Sequence, residues 1–99
     1  MIKHKKLTPT NHIQQRKGNI VSNMNGEMVM LSIHNGKYYN FGEIGGQIWR
    51  SINGTISIDS LVGTLMETYE IEEETCREQV LLFLEDLLTE QLIEVVKYD

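Results

Sequence analysis

The chain has 99 residues, with nine Lys and Arg, fourteen Asp and Glu, and a single Cys. This is the length of one small domain. One Cys excludes an internal disulfide and a multi-cysteine zinc site, and no apolar run approaches the ~18 residues of a membrane span. The basic start, Met1–Lys6, leads into no apolar segment, so we expect no secretory signal and a cytoplasmic protein.

The charge is unevenly distributed along the chain. Residues 1–40 carry six Lys and Arg and one Glu, whereas residues 41–99 carry three Lys and Arg and thirteen acidic residues. An acidic second half attracts cationic partners and repels polyphosphates. Residues 1–17 are polar, lack a period and contain the interruption Thr8-Pro9-Thr10-Asn11, so they predict a mobile basic arm in front of one domain over residues 18–96.

Two Asn-Gly pairs predict an antiparallel meander of three strands. Asn25-Gly26 and Asn35-Gly36 separate the β-prone runs 20–24, 27–34 and 37–41, and Asn-Gly favours two-residue type I′ turns. In the middle run, alternation places a set of branched aliphatic residues on one face, which we expect to be the core face. That set is Val29, Leu31 and Ile33, against Met28, Met30, Ser32 and His34 on the other face.

The pattern then becomes helical. Asn40 and Glu43 have the spacing of a capping box before a first helix that ends at Asn53-Gly54. Ser57 is the expected N-cap of a second helix, and the acidic run 72–74 opens a third. The expected buried residues are Ile44, Ile48, Trp49 and Ile52 in the first helix, Leu61, Val62, Leu65, Met66 and Tyr69 in the second, and Cys76, Val80, Leu81, Phe83, Leu84, Leu87 and Leu88 in the third.

Residues 92–96 fit either a short strand or a tail. Three strands followed by three helices predict an α+β fold with a winged-helix-like arrangement, in which the helices cover one face of a small sheet.

No motif for catalysis, metal binding or a cofactor stands out. His4, His12 and His34 lack the spacing of metal ligands, and Cys76 falls on an apolar helix stripe, which is typical of inert packing. Gly42–Gly46 matches no phosphate-binding motif, and its glycines indicate a close approach of helix and sheet. We therefore expect a protein without enzymatic activity and without a cofactor.

An interaction surface is the remaining prediction. The run 37–41 is short, aromatic and at the edge of the meander, and the third helix has an apolar arc wider than one packing face requires. An open edge beside such a helix accepts a peptide as an added strand. The plain alternative is that the second helix or the C-terminal segment covers the arc. DNA binding is disfavoured because the third helix is acidic, in spite of the basic arm.

Residues 25–49, including the run GKYYNFGEIGGQIW, resemble the PqqD-like family, and so does the stretch from Tyr69 to the Leu-rich helix and Leu92-Ile93. The resemblance covers roughly residues 18–95. The family comprises recognition elements for ribosomally made, modified peptides, and this run is most similar to stand-alone members in lasso peptide clusters.

The resemblance implies a non-catalytic adaptor. The precursor's leader peptide would add to the third strand and lie against the third helix, and the domain would present it to a leader peptidase and an ATP-dependent macrolactam synthetase, with no nucleic acid or membrane partner. By position, the peptide-binding residues would be Lys37, Tyr38, Tyr39, Asn40, Phe41, Arg77, Val80, Leu81, Leu84, Glu85 and Leu88. The alternatives are a PqqD-like chaperone for a radical-SAM enzyme and a winged-helix DNA-binding regulator.

Overall fold

The computed structural model describes residues 7–96 of the chain. Within these residues, six short strands and three helices form an α+β arrangement. In chain order they are β1 (His12–Gln15), β2 (Asn19–Met24), β3 (Glu27–Ser32), β4 (Tyr38–Phe41), α1 (Gly42–Ser51), β5 (Ile56–Ser57), α2 (Ile58–Thr68), α3 (Glu73–Thr89) and β6 (Ile93–Val96). The α+β class and the three helices are as the sequence predicts, whereas the sequence predicts three strands and leaves residues 92–96 open.

The predicted meander is present as the antiparallel sheet β2-β3-β4. Its first turn has positive φ at both Asn25 and Gly26, as a type I′ turn requires. The second connection is longer than predicted, because the last ladder contact is the Ser32 N–H donating to the Lys37 carbonyl at 2.9 Å. Four residues therefore form this loop, and only Gly36 among them has a positive φ.

The middle strand has the opposite orientation to the one predicted. Met28, Met30 and Ser32 are buried, whereas Ile33 is 64% exposed. The buried face lies against α1, where a Cβ built on Gly46 would come within 2.9 Å of the Met28 Cβ. Flexible Met side chains fill the irregular space that remains where α1 lies this close to β3. This packing outweighs the preference for branched aliphatic residues in the core.

The segment predicted as a mobile arm contains a central strand of a second sheet. β1 pairs antiparallel with both β5 and β6, and Ile13 is fully buried. The Arg16 N–H donates to the Leu92 carbonyl at 2.9 Å. Within the described residues this stretch is thus packed onto the domain, because the buried side chains of Leu7 and Ile13 and its backbone hydrogen bonds attach it to the core. Met1–Lys6 lie outside the described residues. Of the two alternatives for residues 92–96, a short strand or a tail, the structure has the strand, which is β6.

The helix starts follow the predictions in part. Ser57 caps α2, since its Oγ accepts from the Ser60 N–H at 3.1 Å. For α1 the N-cap is Phe41, and no side chain caps it. The Asn40 Oδ1 instead accepts from the Gly42 N–H at 2.9 Å, which is an Asx-turn in place of the predicted capping box.

One hydrophobic core joins the two sheets and three helices. Two predicted core residues lie outside it, because Ile44 and Met66 are exposed. The buried residues of α3 are Cys76, Val80, Leu84 and Leu87.

Candidate functional site: a free strand edge beside a groove

Strand β4 forms an open edge of the meander. It pairs with β3 through Tyr38, Tyr39 and Asn40, and no other described strand pairs with it. Since the Ser32 N–H bonds to the Lys37 carbonyl, the antiparallel alternation directs the backbone groups of Lys37 and Tyr39 towards β3. The N–H and C=O groups of Tyr38 and Asn40 therefore point to the open side, where an added strand would find them.

The side chains of β4 alternate between the two faces of the sheet. Tyr39 and Phe41 point inward, on the face of Met30, while Tyr38 is 74% exposed on the outer face. Phe41 lies edge-on to Phe83 of α3, with ring centroids 5.4 Å apart, and 6.0 Å from Trp49. These aromatic contacts attach the edge strand to the helices.

A groove of about 430 Å³ runs between β4 and α3. Its floor is aromatic and aliphatic, and its helix side carries two carboxylates. The lining residues are Lys37, Tyr39, Phe41, Phe83, Asp86, Leu87, Thr89, Glu90 and Leu92. The groove therefore combines apolar surface for a peptide side chain with negative charge for a basic one.

A polar cluster ties β4 to the C-terminal end of α3. The Tyr39 hydroxyl donates to Glu90 Oε1 at 2.6 Å, and Lys37 Nζ lies 3.3 Å from the same oxygen. The hydrogen bond from Tyr39, with help from Lys37, holds the pKa of Glu90 below its usual value. Burial, and then the hydrogen bond to Glu90, raise the pKa of Tyr39.

The loop before β4 is tied down in the same region. Asn35 donates to the Tyr39 hydroxyl at 2.9 Å, and His34 lies 2.9 Å from Gln91 Oε1. These bonds position the loop over the last turn of α3, so that the groove has a polar end at this point.

The predicted site residues divide into four groups. Lys37, Tyr39 and Phe41 line the groove, and Tyr38 and Asn40 offer the outward backbone groups described above. Val80 and Leu84 are buried in the core.

The remaining predicted helix residues lie on the other flank of α3. Arg77 pairs with Asp59 of α2, and the Glu85 carboxylate accepts from the Leu7 N–H at 3.2 Å. Leu81 and Leu88 pack against the core. Because successive helix residues are ~100° apart, Leu81 lies roughly 160° around the helix from Phe83, on nearly the opposite side of α3. On this flank, α2 and Leu7 thus lie beside the predicted apolar arc, whose Leu81 and Leu88 are half-buried.

Sequence reasoning missed the residues that form the helix side of the groove. Phe83, Leu87 and Glu90 have the i, i+4, i+7 spacing of one helix face, and Asp86 lies beside them. This spacing is the one feature of the sequence that indicates that these residues share a face of α3. It does not reveal which face is turned to β4, because the apolar residues of α3 continue around the core side.

No catalytic group is evident in the described part of the chain. Burial raises the pKa of the Cys76 thiol, which disfavours the nucleophilic thiolate. Across residues 7–96, no three His, Cys, Asp or Glu side chains are grouped to hold a metal ion. Within the same residues, no helix is both long and apolar enough to span a membrane.

Comparison with known proteins places the chain in a family. Residues 27–93 match the family model described as "Coenzyme PQQ synthesis protein D (PqqD)", and no curated protein sequence matches. Among solved structures, the chain is similar to "TbiB1 in Complex with the TbiA(beta) Leader Peptide", with a TM-score of 0.73 and 19% identity over 87% of this chain and 99% of that one. The chain therefore belongs to the PqqD family, whose recognition elements are non-catalytic peptide-binding proteins.

Proposed function

We propose that this protein is a leader-peptide-binding adaptor of lasso peptide biosynthesis. It binds the precursor's leader as a strand added to β4 and presents it, in the cytoplasm, to a leader peptidase and an ATP-dependent macrolactam synthetase. The observation that carries the proposal is the open edge of β4, with the backbone groups of Tyr38 and Asn40 directed outward beside the groove of α3.

The edge and the groove supply different parts of the recognition. Main-chain hydrogen bonds to an edge strand give affinity for any extended peptide, while pockets for alternate side chains give specificity. An added strand would direct every second side chain into the groove, onto the rings of Phe41 and Phe83. The similar TbiB1 structure is a complex with a leader peptide, and this supports a peptide-binding role for the shared fold.

Charge selects among the leaders. Asp86 and Glu90 line the groove, and Lys37 partly neutralises Glu90. A leader with a basic residue next to its apolar anchors is therefore favoured over an acidic one.

The test is titration of the protein with the leader of the precursor encoded beside it, followed by amide shifts in NMR and by calorimetry. Shifts confined to residues 37–42 and 83–90 are expected. Tyr38→Pro removes an outward N–H without touching the β3 ladder, a position where edge strands tolerate Pro, and we expect at least tenfold weaker binding. Tyr38→Ala separates the loss of the ring from the loss of the N–H.

A matched pair of charge reversals tests the groove. Asp86→Arg changes an exposed carboxylate that lines the groove, whereas Glu78→Arg makes the same change on an exposed position of α3 outside it. We expect Asp86→Arg to weaken binding of a basic leader about tenfold and Glu78→Arg to leave it within twofold. Equal effects of the two variants would contradict the groove as the binding site. Leu84→Asp is no test, because Leu84 is fully buried and the variant would lose its fold.

The second candidate is the same adaptor role in a pathway served by a radical-SAM enzyme, which the family's place in coenzyme PQQ synthesis favours. The two candidates share the binding site and differ in the precursor. Tighter binding to a leader from a radical-SAM gene cluster than to a lasso leader would select the second candidate.

A further inference from the structure

The other edge of the meander also lies open, and it differs in charge from the β4 edge. β2 pairs only with β3 among the described strands. The Ile33 N–H donates to the Gly18 carbonyl at 2.9 Å, so alternation directs the backbone groups of Asn19, Val21 and Asn23 away from β3. β2 therefore presents its own row of outward N–H and C=O groups.

A cleft of about 800 Å³ lies under this edge, between β2, the link from β1 and the end of α1. Val21 and Trp49 line it, together with Arg16, Lys17 and Arg50. An adjoining cleft of about 380 Å³ continues it past Ser22 and Asn23. We call the two together the β2 cleft. It is wide enough for the side chains of an added peptide strand.

Most of the cations that the structure describes line the β2 cleft. Of the five Lys and Arg within residues 7–96, Lys37 and Arg77 are held in ion pairs. The other three line the cleft, and none of them forms a salt bridge with a described residue. One acid, Glu94, also lines it and is hydrogen-bonded to Gln14. The protein has a formal net charge of −5, so this concentration of free positive charge is local.

We propose that the β2 cleft binds an extended acidic segment of a protein partner, which adds to β2 as a strand. Residues 19–23 offer an edge of five residues, roughly 17 Å at ~3.4 Å per residue. A strand of that length turns two or three side chains inward, towards three cations. The proposal goes beyond the leader-binding function, because it concerns the opposite edge and the opposite charge.

The probe is a capped eight-residue peptide of alternating Glu and Thr, followed by NMR at low salt. Amide shifts are expected at residues 16–23 and 49–54, with slowed exchange of the outward amides of β2. A peptide of alternating Lys and Thr is expected to give none of these shifts. The same Glu-Thr peptide with every backbone nitrogen methylated has the same charge but no N–H groups for strand pairing, and we expect it to bind at least tenfold more weakly.

Variants separate charge from backbone pairing. The triple variant Arg16→Gln, Lys17→Gln, Arg50→Gln removes exposed charges only, and at about threefold per charge the affinity is expected to fall about 30-fold. Val21→Pro removes one outward N–H and is expected to cost about tenfold. Lys37→Gln and Asp86→Arg, at the other edge, are expected to leave the affinity for the Glu-Thr peptide unchanged.

The proposal is overturned if the N-methylated peptide binds as tightly as the Glu-Thr peptide, or if the Lys-Thr peptide moves the same amides. It is also overturned if a twelve-residue oligothymidylate moves them at lower concentration, which would make the cleft a nucleic-acid site. Self-association of the protein that is lost in the triple variant would assign the cleft to a second copy of the chain. None of these outcomes depends on leader binding at β4.

Discussion

Two adjacent glycines of α1 determine how closely the helix lies to the strands and to α3. A Cβ built on Gly45 would come within 2.9 Å of the Phe41 Cβ and 3.2 Å of the Phe83 Cζ. Gly46 has the same relation to Met28. The predicted close approach of helix and sheet is confirmed, and Gly45 lies directly behind the aromatic pair that borders the groove.

Gly45→Ala is expected to lower the free energy of unfolding by about 1–2 kcal/mol. Overpacking costs ~1–3 kcal/mol, and the better helix propensity of Ala returns up to ~1 kcal/mol. Urea denaturation measures the change. Gly63→Ala is the matched control, since Gly63 lies in α2 with no atom within 4 Å of the added Cβ, and a gain of ~0.5–1 kcal/mol is expected. Equal gains in both variants would contradict the close contact at Gly45.

The carboxylate of Glu90 makes the stability of the groove depend on pH. Its pKa is lowered from an ordinary 4.5 by the Tyr39 hydrogen bond and then by Lys37. A group with a depressed folded pKa stabilises the fold above its ordinary pKa, and this contribution is lost as the pH falls through the lowered value. Above about pH 5.5, we therefore expect the free energy of unfolding of the wild-type protein to be larger than that of Glu90→Gln. We expect this difference to shrink below about pH 4.5.

Urea titrations at pH 7 and pH 3.5 measure this difference. Tyr39→Phe serves as the control, because it removes the hydroxyl that donates to Glu90. When the protein carries Tyr39→Phe, the change in free energy of unfolding caused by Glu90→Gln is expected to vary less with pH. A difference that stays constant from pH 7 to pH 3.5 would show that the hydrogen bond makes no contribution.

At the scale of the elements, the strands near the two termini hold each other. β1 lies between β5 and β6, so that residues from both ends of the chain form one sheet. Ile13 of β1 and Ile93 of β6 are both buried in the core. Residues 7–17 are thus part of the packed structure rather than an appendage to it.

A chain that begins at Gly18 is expected to lose its cooperative unfolding transition, because it lacks the central strand of this sheet. Ile13→Ala is the milder test, with an expected loss of ~2–5 kcal/mol from the cavity that it leaves. Gln14→Ala, on the less buried side of the same strand, is expected to cost less than ~1 kcal/mol. A cooperative, near-wild-type transition in the shortened chain would restore residues 18–96 as the folding unit.

At the scale of the whole molecule, the meander separates two open edges of opposite character. The β4 edge faces a groove with Asp86 and Glu90. The β2 edge faces a cleft with three cations that form no salt bridge with a described residue. Trp49 lies between them, since it contacts Phe41 on one side and lines the β2 cleft on the other. We therefore expect the molecule to bind two extended peptides of opposite charge at once.

A bound leader is expected to raise the melting temperature. At a free leader concentration of 100 times Kd, mass action adds ~2.7 kcal/mol to the free energy of unfolding, which for a domain of this size corresponds to ~10 °C or more. Scanning fluorimetry measures the shift. Tyr38→Pro is expected to reduce it at the same leader concentration, and Val21→Pro, at the opposite edge, is expected to retain it. An equal shift in both variants would contradict strand addition at β4.

The sequence alone determined the local features, because their causes are local. The Asn25-Gly26 turn and the Ser57 cap each depend on a few neighbouring residues, the helical period of apolar residues was enough to predict that Cys76 is buried, and the element order was enough to predict the α+β class. The tertiary structure decided which face of β3 and which flank of α3 meet other elements. Met28 and Met30 are buried because α1 approaches them at Gly46, and Phe83 rather than Leu81 borders the groove because α2 occupies the opposite flank of α3. Such choices depend on contacts between residues far apart in the chain, and neither hydrophobic period nor propensity encodes them.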